Sequence, residues 1–184
     1  MKSRQTVLLA IGGGIAAYKS AILCSRLAQA GFEVRVALTG AAAAFIGAPT
    51  FAALSSRPVA SEMFDSRFPL GPHIELADGA DLMVIAPATA NLLSKFANGA
   101  ADDLVSTLYL QVACPVLLAP AMSAAMWSKP SVRRNVVRLE EDGCHFAGPE
   151  TGWLSCRVSG EGRMAEPESI LVAAEKLLDK NNSV

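Results

Sequence analysis

Residues 6–38 read TVLLAIGGGIAAYKSAILCSRLAQAGFEVRVAL, and this stretch alone predicts the fold class. Residues 6–11 form a short apolar run typical of a buried strand, and three glycines end it. Residues 15–29 carry apolar side chains at helical spacing up to Gly31, and residues 33–38 indicate a second strand. A strand, a helix and a strand in this order form a right-handed crossover, which predicts a parallel sheet.

The rest of the chain continues this alternation of strands and helices. Apolar runs predict further strands at residues 81–86, 115–119 and 145–147. Helical spacing predicts helices at residues 41–54, 91–97, 133–141 and 167–180, with Pro49 breaking the first into two pieces. Residues 61–71 and the glycine-rich residues 148–164 are predicted to be loops. We therefore expect a single Rossmann-like (flavodoxin-like) α/β domain over residues 1–184, with a parallel sheet and helices on both faces.

The composition limits what the chain binds. Apolar residues make up 52% of the 184 residues and charged residues only 18%, so an oligomer is expected. The formal net charge is -1 without any basic run, which argues against nucleic acid as a partner. No apolar run approaches the roughly 18 residues of a membrane span, and the run from Val7 meets glycines and Lys19 too early for a signal peptide. A cytoplasmic location and no membrane partner are expected.

The cysteines are spread along the chain and form no C-x-x-C pair. This spacing predicts neither a metal site nor a disulfide framework. The four cysteines are Cys24, Cys114, Cys144 and Cys156.

The glycine turn after the first strand indicates a phosphate site. Gly12, Gly14 and Ala17 fit the spacing of the dinucleotide fingerprint, in which the backbone approaches a phosphate at a helix N-terminus. Close packing of a strand against a helix produces the same glycines, so this alternative stays open.

The end of the second strand separates two kinds of nucleotide. An NAD site needs an acidic residue there to bind the ribose 2′-hydroxyl, but the chain has Leu38, Thr39 and Gly40. A hydroxyl and free backbone amides suit a terminal phosphate better than a ribose diol. The expected ligand is a mononucleotide, with FMN as the leading candidate.

Five motifs now occur in a specific order over nearly the whole chain, and together they resemble the flavin-dependent cysteine decarboxylases. Within that family the resemblance is greatest to the branch that acts on 4′-phosphopantothenoylcysteine in coenzyme A biosynthesis. The motifs are Gly13-Gly-Ile-Ala-Ala-Tyr-Lys19, His73-Ile-Glu-Leu76, Ala86-Pro-Ala-Thr-Ala-Asn91, Pro120-Ala-Met-Ser-Ala-Ala-Met-Trp127 and the loop from Cys156 to Met164.

The resemblance implies the cofactor, the assembly and the reaction. It implies a small-molecule thiol carboxylate as substrate, and FMN held at a subunit boundary of a homotrimer or of a dodecamer built from trimers. Bound flavin would take electrons from the substrate thiol before carbon dioxide leaves, while the protein orients and protonates. The residues implied for FMN binding are Gly13, Gly14, Ile15, Ala16, Thr39, Phe45, Pro87, Ala88, Thr89, Asn91, Ser106, Ala121 and Met122.

Two residues match catalytic positions of the family. His73, on a predicted loop before a helix, would accept a thiol or carboxyl proton, whereas composition alone would make it a solvent-facing histidine. Cys156 would supply the proton that completes reduction, and its other interpretation is an inert exposed thiol. Because peptidyl-cysteine decarboxylases need no such donor, Cys156 favours the coenzyme A branch.

Ser123 departs from the family motif, in which an asparagine binds the substrate carboxylate. Serine offers one hydroxyl donor on a shorter stem, where an amide offers two donors. We expect Ser123 to act at the carboxylate site with weakened positioning. Met126 lies one helical turn further on, and it borders the substrate if the resemblance holds or belongs to the core if it does not.

Three other functions remain open at this point. The chain is also consistent with an oxidative decarboxylase of peptidyl cysteine, and with a non-catalytic FMN-binding regulatory trimer. A flavin prenyltransferase of the same fold is the third, although such a protein has less reason to keep both the Pro120–Trp127 motif and the Cys156 loop.

Overall fold

The computed structural model describes residues 4–181, and within them a parallel sheet organises the chain. Its strands are β1 (Thr6–Ile11), β2 (Glu33–Leu38), β3 (Val59–Ala60), β4 (Leu82–Ala88), β5 (Val116–Pro120) and β6 (His145–Phe146). The spatial order is β3-β2-β1-β4-β5-β6, and each neighbouring pair is parallel. A separate antiparallel hairpin consists of β7 (Glu150–Trp153) and β8 (Ser159–Arg163).

Helices connect these strands. They are α1 (Ala17–Gln29), α2 (Gly40–Ala43), α3 (Ala48–Ser55), α4 (Pro72–Ala77), α5 (Ala90–Ala97), α6 (Leu104–Gln111), α7 (Ala124–Trp127), α8 (Pro130–Glu141) and α9 (Pro167–Asn181).

Alternate residues of each central strand face opposite sides, so the sheet is buried on both faces. On one face Leu9 packs in a cluster with α1, α3 and α9. On the other face Leu8 packs in a cluster with α4, α5, α6 and α8. The predicted fold class, a parallel sheet with helices on both faces, is therefore confirmed.

The strand order reverses between β1 and β4, because β2 and β3 lie to one side of β1 while β4, β5 and β6 lie to the other. Loops leaving two such neighbouring strands diverge and open a crevice beyond their carboxyl ends. An open α/β sheet binds its ligands in this crevice, so the strand order alone predicts where the site lies.

The prediction of an irregular loop at residues 148–164 was wrong. Glu150–Trp153 and Ser159–Arg163 form the β7–β8 hairpin. Its glycines suggested a loop, but the hairpin needs two of them. A Cβ at Gly152 would lie 2.9 Å from Cδ of Arg163, so a side chain does not fit there. Gly162 has a φ of +135°, which glycine adopts more readily than any other residue.

Prolines misled the prediction at two places. Strand β4 does not end before Pro87 but continues to Ala88, because the pairing with β5 shifts register between Ile85 and Ala88 and so bypasses the missing N–H. The predicted helix of residues 41–54 is in two pieces, α2 and α3, but Pro49 does not cause the break. It lies in the first turn of α3, where the absent N–H costs nothing, and the real break precedes Gly47.

The structure also corrects the setting of His73. It lies in the first turn of α4 and not on a loop before a helix. The other predicted elements are present, with ends that differ by up to three residues. Among residues 4–181 no helix combines the length and apolar character that a bilayer crossing requires.

Candidate functional site

A cavity of about 780 Å³ opens at the crevice beyond β1 and β4. Four turns that follow strands form its wall: residues 13–16 after β1, Thr39 after β2, Thr89 after β4 and residues 121–123 after β5. The β7–β8 hairpin supplies the opposite wall. Its size lies within the range of roughly 300–1,000 Å³ that small-molecule and cofactor sites occupy.

This cavity brings most of the predicted site residues together. Those in its lining are Gly13, Gly14, Ile15, Ala16, Thr39, Pro87, Thr89, Asn91, Ala121, Met122, Ser123, Met126 and Cys156. The predicted residues outside the lining are Phe45, His73, Ala88 and Ser106.

The glycine turn combines tight packing with open space. A Cβ on Gly13 would lie 2.6 Å from the carbonyl carbon of Ala41, so glycine is required there for packing. A Cβ on Gly14 would meet nothing within 4 Å, although Gly14 lines the cavity. Helix α1 begins here without a side-chain cap or an acidic first turn, so no acidic side chain of its first turn competes with an anion for its positive dipole end.

Three of the hydroxyl groups that border the cavity each cap a helix. The Oγ1 atoms of Thr39 and Thr89 accept hydrogen bonds from the backbone N–H of Ala42 (3.1 Å) and Leu92 (3.3 Å). Ser123 caps α7 in the same way, accepting from the N–H of Met126 at 3.4 Å. Because each oxygen acts as the acceptor, its own hydrogen remains for a ligand.

An ion cluster forms the cavity wall between α5 and α6. Lys95 Nζ lies 2.6 Å from a carboxylate oxygen of Asp102 and 2.5 Å from one of Asp103. The hydrogen bond to Asp102, followed by that to Asp103, raises the pKa of Lys95. Burial alone would raise the pKa of Asp103, but hydrogen bonds from Lys95 and Ser106 outweigh it and lower that pKa. Asp103 also forms a capping box with Ser106 at the start of α6.

This cluster predicts a pH-dependent loss of stability in Asp103→Ala. Removing the cap should lower the free energy of unfolding by about 1 kcal/mol at pH 7. Since the folded pKa of Asp103 is lowered, its contribution is complete above the unfolded pKa and disappears as pH falls through the folded one. Urea denaturation from pH 7 to pH 3 should show the two proteins converging in acid. Asp102→Ala, which removes a carboxylate from the same ammonium but no helix cap, is the control and should lower the free energy of unfolding less at pH 7 than Asp103→Ala does. An undiminished difference between Asp103→Ala and the wild type at pH 3 would contradict the prediction.

A second ion cluster joins α1 to the hairpin. Lys19, whose side chain is only 8% exposed, donates to Glu166 at 2.9 Å and to the Met164 carbonyl at 3.1 Å. Glu166 also accepts from Arg163, and the hydrogen bond from Lys19 is the main cause of its lowered pKa. Lys19, Lys95 and Arg163 had no role predicted from the sequence. A lysine within the apolar face of a helix is the signal that could have indicated the first, since a buried ammonium requires a partner.

The hairpin carries Cys156 to the cavity. Cys156 lies at its tip, exposed to solvent and part of the cavity lining. The N–H of Leu154 donates to the Val158 carbonyl at 2.9 Å, which closes the tip. The N–H of Met122 donates to the Gly162 carbonyl at 2.9 Å, which attaches the hairpin to the turn that contains Ser123. The backbone thus holds the segments of Cys156 and Ser123 against each other.

His73 lies away from this cavity in its own chain. Its Nδ1 is buried and has no hydrogen-bond partner among residues 4–181. The helix that carries it is fixed at both ends. Glu75 accepts from the Leu70 N–H at 2.8 Å, and Arg35 donates to the carbonyl of Glu75 at 3.1 Å. The predicted base is therefore not among the residues that line the cavity of its own chain.

The remaining three predicted residues occupy different settings. Phe45 is 54% exposed just after α2. Ala88 is buried in β4, where its carbonyl accepts from the Ala121 N–H at 3.1 Å. Ser106 is buried in the capping box of α6. Within residues 4–181 no group of three potential metal-ligating side chains is arranged to hold a metal ion.

Comparison with known proteins identifies the family. Residues 1–178 match the family model described as Flavoprotein. The chain belongs to the Flavoprotein family. Curated members include the coenzyme A biosynthesis bifunctional protein CoaBC of Bacillus subtilis, 45% identical over 177 residues, and that of Mycobacterium tuberculosis, 43% identical over 178. These alignments cover 96% and 97% of this chain but only 44% and 42% of the relatives, so the chain spans less than half of their length.

Solved structures resemble this Flavoprotein member over nearly its full length. The FMN-dependent cysteine decarboxylase SpaF superposes with a TM-score of 0.85 at 32% identity, covering 97% of each chain. A mutant of PPC decarboxylase complexed with pantothenoylaminoethenethiol superposes with a TM-score of 0.84 at 30% identity, covering 96% of this chain and 99% of the other. The FMN binding protein AtHal3 gives 0.81 at 30% identity, covering 96% and 98%.

Proposed function

We propose that this chain binds FMN and decarboxylates 4′-phosphopantothenoylcysteine to 4′-phosphopantetheine, a step of coenzyme A biosynthesis. One observation carries the proposal. A single cavity connects an uncapped helix N-terminus, suited to a phosphate, with a hairpin that presents the thiol of Cys156. The names of its relatives, CoaBC and PPC decarboxylase, give independent support.

The residues of the cavity fit FMN. The open space above Gly14 and the positive dipole end of α1 match the phosphate. Thr39 and Thr89 offer hydroxyl donors to phosphate or ribitol oxygens, while Pro87 and Met122 offer apolar surface to a ring. FMN, when bound, would supply the two-electron chemistry that no side chain of the cavity can perform.

Gly14→Ala tests the phosphate part of this fit. An added Cβ should occupy the space of the phosphate and weaken FMN binding about a hundredfold, comparable to losing two charge-assisted hydrogen bonds. The unliganded fold should keep its thermal stability, since the Cβ meets no protein atom within 4 Å. Gly13→Ala is the matched control, because its Cβ would collide with Ala41 and destabilise the unliganded protein. Unchanged FMN affinity in Gly14→Ala would contradict the fit.

The chain's own groups would bind the substrate and move protons. The Ser123 hydroxyl, next to Met126 in the lining, would donate to the substrate carboxylate. The Cys156 thiol would hold the proton delivered after carbon dioxide leaves, and the hairpin would limit the access of water. His73 would accept a proton from the substrate.

Ser123→Asn should raise the rate. The asparagine amide reaches further and offers two donors, so it should orient the leaving carboxylate better and raise kcat on the order of a hundredfold. Ser123→Ala, which lacks a donor, is the control and should lower kcat. If Ser123→Asn gives no gain while the protein still binds FMN, the result would favour the regulatory, non-catalytic trimer.

The absence of His73 from the cavity lining of its own chain supports an oligomeric site. The buried Nδ1 without a partner, and exposed apolar side chains such as Ile15, Tyr18 and Phe45, are consistent with a surface that another subunit covers. We propose a homotrimer, or a dodecamer of trimers, in which His73 of one subunit completes the cavity of the next. The unpaired cysteines suit the reducing cytoplasm, where we expect the protein to act.

A second candidate is oxidative decarboxylation of a peptide with a C-terminal cysteine. The likeness to the FMN-dependent cysteine decarboxylase SpaF favours it, since SpaF and PPC decarboxylase superpose equally well, with TM-scores of 0.85 and 0.84. The exposed Cys156 in the cavity favours the first candidate, because a reaction that stops before reduction needs no proton donor there.

Turnover with the two substrate classes tests the proposal. The FMN-loaded protein should convert 4′-phosphopantothenoylcysteine to equal amounts of carbon dioxide and 4′-phosphopantetheine, measured by mass spectrometry. A short peptide ending in cysteine serves as the comparison. Turnover of the peptide alone would replace the proposal with the second candidate, and turnover of neither would refute both.

A further inference from the structure

Among residues 4–181, the three basic side chains that line the cavity are all paired with carboxylates, and three carboxylates balance their three positive charges. Lys19 and Arg163 pair with Glu166, and Lys95 pairs with Asp102 and Asp103. A paired cation attracts a further anion much less strongly than a free one, because the neighbouring carboxylate cancels most of its field. The lining itself therefore contributes little net positive charge to hold a strongly anionic substrate.

Arg157 differs from these residues. It follows Cys156 directly, immediately after the lining residues 153–156, and it is exposed. Its side chain has no hydrogen bond or ion pair with any residue among 4–181. Arg157 thus lies one residue from the lining and from the thiol assigned to catalysis, with an exposed guanidinium that has no protein partner among residues 4–181.

The backbone of Arg157 is also unusual. Its φ is +64°, in the left-handed region that glycine and asparagine adopt more readily than arginine. Its N–H donates to the Leu154 carbonyl at 2.9 Å, so the turn itself depends on the backbone and not on the guanidinium. An arginine here does not help the hairpin to fold, which leaves its side chain available for a ligand.

We propose that Arg157 binds the phosphate monoester of the substrate and thereby selects phosphorylated over unphosphorylated pantothenoylcysteine. This inference rests on the proposed function and adds a specificity-determining residue to it. The planar guanidinium donates two parallel hydrogen bonds to phosphate oxygens, and it keeps its charge throughout the neutral pH range.

Four proteins test this assignment: the wild type, Arg157→Asn, Arg157→Lys and the control Arg134→Asn, which changes an exposed arginine outside the cavity. In Arg157→Asn, kcat/KM for 4′-phosphopantothenoylcysteine should fall by about tenfold or more, and kcat/KM for pantothenoylcysteine should change less than about twofold. Arg157→Lys should be intermediate, because it keeps the charge but loses the paired donors. Arg134→Asn should resemble the wild type.

The controls separate binding from folding. Arg157→Asn should be at least as heat-stable as the wild type, since asparagine accepts a positive φ more readily. An equal loss of kcat/KM with both substrates would show that Arg157 only shapes the loop, and no loss with either would also overturn the assignment.

A binding measurement keeps the inference testable if turnover fails. Should the wild type convert neither substrate, the proposed function fails while Arg157 is still tested by equilibrium binding of 4′-phosphopantetheine and pantetheine to the FMN-loaded protein. The wild type should bind the phosphorylated compound more tightly, and Arg157→Asn should lose that preference. Equal affinity of the wild type for both compounds would overturn the inference.

Discussion

Cys156→Ser should stop the formation of 4′-phosphopantetheine while carbon dioxide release from the first turnover continues. The thiol lies in the cavity lining at the hairpin tip, where it can meet the substrate carbon that has lost its carboxyl group. An alcohol is a far weaker acid than a thiol, so serine keeps the shape but not the proton transfer. General acid–base groups contribute typically 10²–10⁴ in rate, and we expect product formation to fall on the order of a thousandfold.

Two measurements check this expectation. Rapid quenching followed by mass spectrometry should find about one carbon dioxide per site and an unsaturated thiol in place of 4′-phosphopantetheine. Cys114→Ser is the control, because burial raises the pKa of Cys114 to about 11 and the residue lies outside the cavity lining. Undiminished 4′-phosphopantetheine formation by Cys156→Ser would remove Cys156 from the mechanism.

His73→Asn should reduce kcat by 10²-fold or more, within the usual range for a general base. Asparagine keeps a polar atom near the position of the buried Nδ1. It places no atom at the position of Nε2, the nitrogen that would accept the proton. The affinity of the single subunit for FMN should change little, because His73 is not part of the cavity lining in its own chain. Steady-state kinetics and a flavin titration measure these two effects separately.

Mixing subunits shows which chain supplies the histidine. His73→Asn and Cys156→Ser subunits should each be nearly inactive alone. If His73 serves the cavity of a neighbouring subunit, mixed oligomers contain some sites with both native groups, and activity should recover. If His73 serves its own cavity, each site retains one defect, and mixing should leave activity at the level of the two parents.

The central part of the fold could be predicted because its signals are local. Between Thr6 and Leu38 the spacing of the apolar residues indicates both strands and helix α1. Glycines mark the turn between β1 and α1. The position of the cavity then follows from topology, since each predicted turn leaves the carboxyl end of a parallel strand.

What was missed depends on contacts between distant residues. The β7–β8 hairpin is anchored where Met122 bonds to the Gly162 carbonyl, and its short glycine-rich strands carry little periodicity of their own. The link between Lys95 and Asp103 spans eight positions and exists only because α5 and α6 pack together. The separation of His73 from the cavity is likewise a property of tertiary structure, which no motif records.

The central claim is that the cavity beyond β1 and β4 binds FMN. Titration of the purified, flavin-free protein with FMN, followed by the quenching of flavin fluorescence and by the absorbance spectrum, measures this directly. We predict saturation at one FMN per chain and a yellow protein that retains the flavin through gel filtration. A colourless protein that leaves added FMN free in solution would contradict the account.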